Sequence, residues 1–226
     1  MLNKRVFEIG AGRSALSDGK LYERDFFHDL PDVPVLPETL LSVELKLHEP
    51  QVNLTELTGL VLGDLGAALQ IYRMAQREYG SLEDRPTRIE DCISDLGLWI
   101  CLDVISRQTV TRGSRQNAVL EYWAHARGIA DYCSLVAEEA SPETNPRDAY
   151  LVGLFHELGL LPDVLGWSRS VYSAADSSVA GMRMAIAWSL PRCVREYFCE
   201  IQLPGPMNRW LAIVETAHHL ACMPTH

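Results

Sequence analysis

An all-α fold is the reading on which three features of this 226-residue chain converge. From Leu30 onward, apolar residues recur at steps of three and four. Asn, Asp, Thr and Pro stand where such stretches open, and Gly and Pro stand where they close. Strand-like alternation is nearly absent. About nine or ten helices are expected on this pattern.

Pro37 takes a first helical position, and Leu40, Leu41, Val43 and Leu47 follow before Pro50 stops the helix. Asn53 with Glu56 has capping-box spacing, ahead of Leu54, Leu57 and Val61 on one face. Asp64 can cap a longer helix whose apolar face is Leu65, Ala68, Leu69, Tyr72 and Ala75, ending by Gly80. Thr87 with Glu90 forms another capping box before Ile89, Ile93, Leu96 and the apolar run from Leu98 to Leu102. Four helices are thus expected before residue 112.

In the second half, Tyr122, Ala126, Ile129, Cys133, Val136 and Ala140 draw a narrow apolar stripe along one helix. His125 lies about 60° off that stripe at the helical turn per residue. Asn145 and Pro146 supply an N-cap and a first-position proline, with Asp148 adding a favourable charge in the first turn. Leu151, Leu154, Phe155 and Leu158 then share a face, with Gly159 as the expected C-cap and Pro162 just beyond. His156 and Glu157 fall on the last turns of this buried helix. Three further helices are expected over Ser177 to Ser189, Pro191 to Ile201 and Asn208 to Cys222.

The length allows one large domain or two small ones with a proper core. A net charge of -10 argues against nucleic acid or an anionic membrane as a partner, since both would be repelled. Six cysteines, at 92, 101, 133, 193, 199 and 222, form no CxxC pair and read as reduced core thiols. The N-terminus has basic residues without an apolar segment after them, and no run approaches the ~20 apolar residues of a membrane span. A cytoplasmic protein is expected.

Residues 1–29 show no sustained period and are set apart as an N-terminal extension. Within them Gly10, Gly12 and Ala15 follow Arg-Val-Phe in a GxGxxA pattern, the kind of loop that lets backbone N–H groups approach a phosphate. Such a loop needs a βαβ frame, and helices follow instead. A leader segment is the better reading. No Ser lies in a GxSxG context, and the cysteines lack an evident His and acid partner, so nucleophilic catalysis has no support.

His156 and Glu157 are the most informative pair. Adjacent helical residues point about 100° apart, so they can share one metal only at a helix end, with other helices bringing further ligands. His125 upstream, and His218 and His219 on the last helix, are available for that role. The alternative is a set of half-buried histidines with ordinary hydrogen-bond partners.

Taken in order, these stretches resemble the HDOD family, a branch of the HD phosphohydrolase superfamily found in bacterial signalling proteins. "LPDVPVLPETLL" through "AQREYG" looks like that family's opening, "RPTRIEDCISDLGLWICLDV" like its Leu-Gly helix, and "EYWAHARGIADYCSLVA" like its Trp-x-His helix. "DAYLVGLFHELGLLP" is similar to the HD(I/L)GK helix, "AWSLP" to the Trp-x-Leu-Pro stop and "AIVETAHHLA" to the closing helix. The resemblance implies a two-part helical fold over 30–226, with an N-terminal helical subdomain at 30–112 packed on an HD-like subdomain at 113–226.

In active HD proteins the resemblance implies an H…HD…D metal set that activates water against a phosphate ester. Here His125 and His156 fall on the two histidines, Glu157 replaces the first Asp and His218 the last. Leu160 stands where the motif's Lys would be, and the extra histidines of metal-dependent relatives fall around Ser177, Cys199 and Glu200. In the first half Asp64-Leu65 replaces the family's Asp-Pro, and Gln76-Arg77 replaces an Asn-Ser pair. Trading oxygen for nitrogen suits Zn, Ni or Cu better than Mg or Mn.

The resulting expectation is a degenerate, non-catalytic regulatory domain that binds other signalling proteins, with motility and cyclic-dinucleotide pathways as the settings the resemblance implies. No catalytic residue, cofactor or metal is expected. Were a divalent transition metal present, His125, His156, Glu157 and His218 would be its ligands. The rival is a metal-dependent phosphohydrolase acting on a nucleotide or cyclic dinucleotide, and a third reading places a small molecule in the cleft between the His125 and His156 helices.

Overall fold

A computed structural model describes residues 33–79, 88–106, 115–167, 176–203, 205 and 208–223, and among these all regular structure is helical. The glycine pattern at residues 10–15 and the proposed cap Thr87 lie outside the described residues.

Helix α1 spans Pro37–Leu47, with Leu36 extended before it, as a first-turn proline requires. Helix α2 spans Leu54–Leu62 and is capped by Asn53, whose Oδ1 accepts from the N–H groups of Thr55 and Glu56. Helix α3 spans Leu65–Tyr79 and is almost wholly buried along its first three turns. Its cap is Asp64, whose Oδ1 accepts from the N–H groups of Gly66 at 2.9 Å and Ala67 at 3.1 Å. Gly66 is needed there, because a Cβ would sit 1.9 Å from the carbonyl oxygen of Pro34.

The single helix expected from Thr87 onward is two. Helix α4, Ile89–Leu96, stops at Gly97, whose φ of +86° favours glycine, and α5, Leu98–Ser106, starts anew beyond it. Five helices therefore precede residue 112 among the described residues, and the N-cap of α4 is Arg88, with no side-chain cap.

Helix α6 runs over Gln116–Ala140 and buries the expected stripe from Tyr122 to Val136, leaving Ala140 exposed at its end. Helix α7, Pro146–Phe155, packs tightly along it: a Cβ on Gly153 would lie 2.6 Å from the Cα of Ala130. Gly159 is not its C-cap. The helix ends at Phe155, and Gly159 sits in a 3₁₀ turn, Leu158–Leu160, pressed against the backbone of Ser177. The glycine was a sign of close approach rather than of a left-handed cap. Pro162 likewise starts a short helix, α8, Leu161–Leu165. Helices α9, Ser177–Ala187, α10, Arg192–Gln202, and α11, Arg209–Ala221, follow. The corner between α9 and α10 is set by Ser189 at φ +48° and by Pro191.

Helices α1–α5 pack mainly on one another and α6–α11 do likewise, with α3 meeting α6 between the groups. One continuous apolar core runs through both, with Tyr72, Phe155, Trp188 and Phe198 among its largest buried side chains. Burial of each such side chain is worth roughly 1.5–3 kcal/mol. Polar bonds register the two groups: Trp123 Nε1–H donates to Asp64 Oδ1 at 3.0 Å, and Tyr150 Oη–H donates to the Leu62 carbonyl at 3.0 Å. Cys92, Cys101, Cys133 and Cys193 are buried free thiols as expected, whereas Cys199 and Cys222 are exposed. Among the described residues no single helix is long and apolar enough to cross a membrane.

Candidate functional site: a three-histidine cluster

Three helices bring His125, His156 and His218 together. His125 projects from α6, His156 closes the C-terminal end of α7, and His218 lies in the last turn of α11. Their ring centroids are 4.9–5.3 Å apart, and one ligating nitrogen from each lies within 4.8 Å of the others. The early end of α7 explains how two adjacent residues reach one centre. His156 is the C-cap and Glu157 has already left the helix, so their separation is not fixed at the helical angle.

His156 is 5% exposed. Its Nδ1–H donates to the Gly153 carbonyl at 2.6 Å, because a carbonyl can only accept. That bond turns the Nε2 lone pair toward the cluster, where it lies 3.1 Å from His218 Nε2. Burial lowers the His156 pKa to about 3, and the neighbouring His218 and His125 push the same way against the Gly153 bond. Burial also lowers the pKa of His218, helped by His125 and opposed by Glu157. His156 and His218 are thereby biased toward the neutral imidazole, the form that binds a metal.

Glu157 supplies the nearest carboxylate. Its oxygens stand 3.6 Å from His125 Nε2 and 4.0 Å from His156 Nε2, with a third of the side chain exposed. Tyr122 fixes its backbone by donating Oη–H to the Glu157 carbonyl at 2.7 Å. The four candidates named from sequence are thus brought to one place. Reading Tyr122 only as core missed this positioning role, although it lies three residues before His125 on the same helix. Gly153 was missed as well: its lack of a side chain lets α7 approach α6 and gives His156 its carbonyl partner.

The positions where the resemblance would place further histidines serve other ends. Glu200 Oε2 accepts from the Leu211 N–H in the first turn of α11, Ser177 abuts Gly159, and Cys199 is exposed.

Three imidazoles with an open fourth position fit a single borderline ion such as zinc. They fit poorly a pair of hard ions, which need several oxygen donors.

The HDOD domain family model matches residues 33–165, more than half of the chain. The chain belongs to the HDOD family. The match takes in His125, His156 and Glu157, while His218 lies past its end. In fold, this HDOD protein is similar to the MmoQ response regulator from Methylococcus capsulatus str. Bath, at 18% identity and a TM-score of 0.67 over 84% of this chain and 86% of that one. It is also similar to a virulence factor from Campylobacter jejuni subsp. jejuni, at 14% identity and a TM-score of 0.58 over 92% of this chain and 82% of that one. These identities speak to fold alone. An uncharacterized protein of Treponema pallidum (strain Nichols) is 20% identical over 132 residues, which is 58% of this chain and 26% of that protein's length.

Proposed function

We propose that this HDOD protein is a non-catalytic regulatory domain of bacterial cytoplasmic signal transduction that works by binding other signalling proteins. The observation that carries this reading is the donor set at the HD positions: three imidazoles and a single carboxylate that approaches two of them no closer than 3.6 Å. Hydrolysis of a phosphate ester by a metal pair needs oxygen donors that bridge and hold both ions. Here His218 stands where such a donor would be, and its partner is His156. The likeness in fold to a response regulator supports a signalling setting.

A second reading has its own support in the orientation of His156, whose bond to Gly153 presents Nε2 to the centre. His125, His156 and His218 would hold one borderline ion, and bound there it would supply a Lewis acid able to lower the pKa of a water. The chain's own residues would then do the rest. Gly153 holds the His156 tautomer, Tyr122 holds the backbone of Glu157, and the Glu157 carboxylate stands ready to take a proton.

Turnover separates the readings. The purified chain, loaded in turn with zinc, iron, manganese and cobalt, is assayed on a phosphodiester, a phosphomonoester and a cyclic dinucleotide beside His125→Ala. The regulatory reading expects equal rates for the two proteins. Metal-dependent turnover present in the parent and absent from the variant would favour the hydrolase.

A further inference from the structure

Helix α5 carries more apolar surface than the fold covers. Seven of its nine residues are apolar, yet only Cys101 and Ile105 are buried, and Trp99 and Ile100 stand 61% and 49% exposed. The neighbouring α1 repeats the pattern on its outer side, where Leu41 and Leu45 are 57% and 62% exposed although Val43 and Leu47 are buried. Single exposed apolar residues are ordinary, whereas a contiguous group of them marks a binding face.

His48 makes the group contiguous. Leu41, Leu45 and His48 are spaced i, i+4 and i+7, one stripe along α1 and its C-cap. The Nδ1–H of His48 donates to the Glu44 carbonyl at 2.8 Å, which fixes the ring, and Trp99 meets that ring edge-on with the centroids 6.0 Å apart. Trp99 is thereby held against a fixed neighbour with most of its surface bare. Trp is enriched among the residues that dominate binding, and a side chain already held loses little freedom when a partner covers it.

Acidic side chains flank the stripe. At the helical turn per residue Glu38 and Glu44 fall about 60° to either side of Leu41, and Asp103 follows Trp99 by one turn on α5, all of them exposed. Lys46 is the one basic side chain of these two helices, and it is taken up by Glu49 at 3.0 Å and Glu56 at 2.6 Å.

This charge decides among the occupants. In a twofold contact between copies Glu38 and Glu44 would oppose their own counterparts, on chains that each carry a net charge of -10. An anionic membrane is repelled in the same way. Four apolar side chains are also far short of the roughly 20–30 residues that each partner sets into a stable dimer.

We infer that the α1–α5 face docks a basic amphipathic helix of another protein, whose apolar stripe covers Leu41, Leu45, Trp99 and Ile100 and whose Lys or Arg side chains meet Glu38, Glu44 and Asp103. This rests on the regulatory reading above and gives it a contact surface, on the helical group that holds none of the cluster's histidines.

The test uses the full chain and three synthetic peptides of about 18 residues, a length at which an isolated helix can form. One is built of Leu and Lys with all Leu on one helical face, one has the same composition in scrambled order, and one has Glu in place of every Lys. Calorimetry is expected to show saturable one-to-one binding of the amphipathic Leu/Lys peptide, weakened by added salt, and none of the other two. In the NMR spectrum the Trp99 indole N–H should shift on binding while that of Trp123 stays in place. Trp99→Ala should weaken binding by roughly thirtyfold. Leu45→Lys should weaken it by about tenfold and leave the unfolding midpoint of the free protein within about 2 °C of the parent, which separates a lost contact from a lost fold. The face is refuted if the amphipathic Leu/Lys peptide does not bind at millimolar concentration, if the scrambled or acidic peptide binds as tightly, or if both variants bind like the parent. A dimer in sedimentation that Trp99→Ala dissolves would give the face to a second copy and refute the assignment as well. Turnover at the histidine cluster would sink the regulatory reading without altering these binding results, whereas absent peptide binding would remove the face and leave that reading standing.

Discussion

Two carboxylates, Asp64 and Glu157, each stand beside a residue of the Trp-x-His stretch on α6, and their surroundings could hardly differ more. Asp64 is fully buried and takes four donors within 3.1 Å: the N–H groups of Leu36, Gly66 and Ala67 and the Trp123 indole. Burial still raises its pKa above the ordinary value, the donors notwithstanding. Glu157 is one-third exposed, and its carboxylate accepts no hydrogen bond among the described residues, facing imidazoles instead. A carboxylate with every lone pair answered is part of the fold. A carboxylate beside imidazoles, held in place only through its backbone, is available to something else.

If that contrast is right, the two sites respond to change in opposite ways. The largest effect is expected at Asp64. Asp64→Ala removes the cap of α3 and leaves the Trp123 indole and the Leu36 N–H buried without partners, at a cost of about 3–5 kcal/mol in urea unfolding. A loss under ~1 kcal/mol would break the comparison at its structural end.

Acid comes next. The folded pKa of His156 is depressed to about 3, from an ordinary value near 6.5. The unfolded chain therefore takes up a proton that the native state refuses between those values. Stability from this residue is fully present above pH 6.5 and is lost as pH falls, at about 1.4 kcal/mol per pH unit. Denaturant midpoints measured from pH 7 down to pH 4.5 should show this slope, and His156→Gln, where it folds, should flatten it.

Gly153→Val should cost roughly 1–3 kcal/mol by forcing α7 away from Ala130. It sharpens the comparison because it disturbs the cluster and spares the Asp64 joint. The His156 imidazole resonances should shift in the NMR spectrum while the Trp123 indole N–H stays in place. Smallest of all is Glu157→Gln, expected within about 0.5 kcal/mol of the parent, since it breaks no hydrogen bond.

Much of the first site was legible in the sequence, and the reason is local. Asp64 sits one residue before an apolar period, and a cap is read from such spacing without knowledge of the tertiary fold. That Trp123 would share it was not legible, because the bond spans 59 positions and no periodicity reports it. The histidines were found by residue type and by resemblance, while their arrangement depended on where α7 stops. Gly159 looked like the stop, and in fact serves a close approach to Ser177. Gly97 was passed over inside an apolar run, although it is the residue that turns one expected helix into two. A glycine states that a side chain is unwelcome, and only the fold says whether the reason is a positive φ, a neighbouring backbone or a cap. The concavity between the two helical groups was invisible for a like reason, since its walls come from six separated stretches of chain.

The regulatory role proposed above requires that the HD positions here no longer carry the donors for hard ions. Titration of the purified chain with manganese(II), followed by electron paramagnetic resonance and then by phosphodiester turnover on the same samples, tests it most directly. The manganese signal is predicted to remain that of the free ion, with no turnover. Two manganese ions held per chain, spin-coupled and released by Glu157→Gln together with hydrolysis, would contradict it.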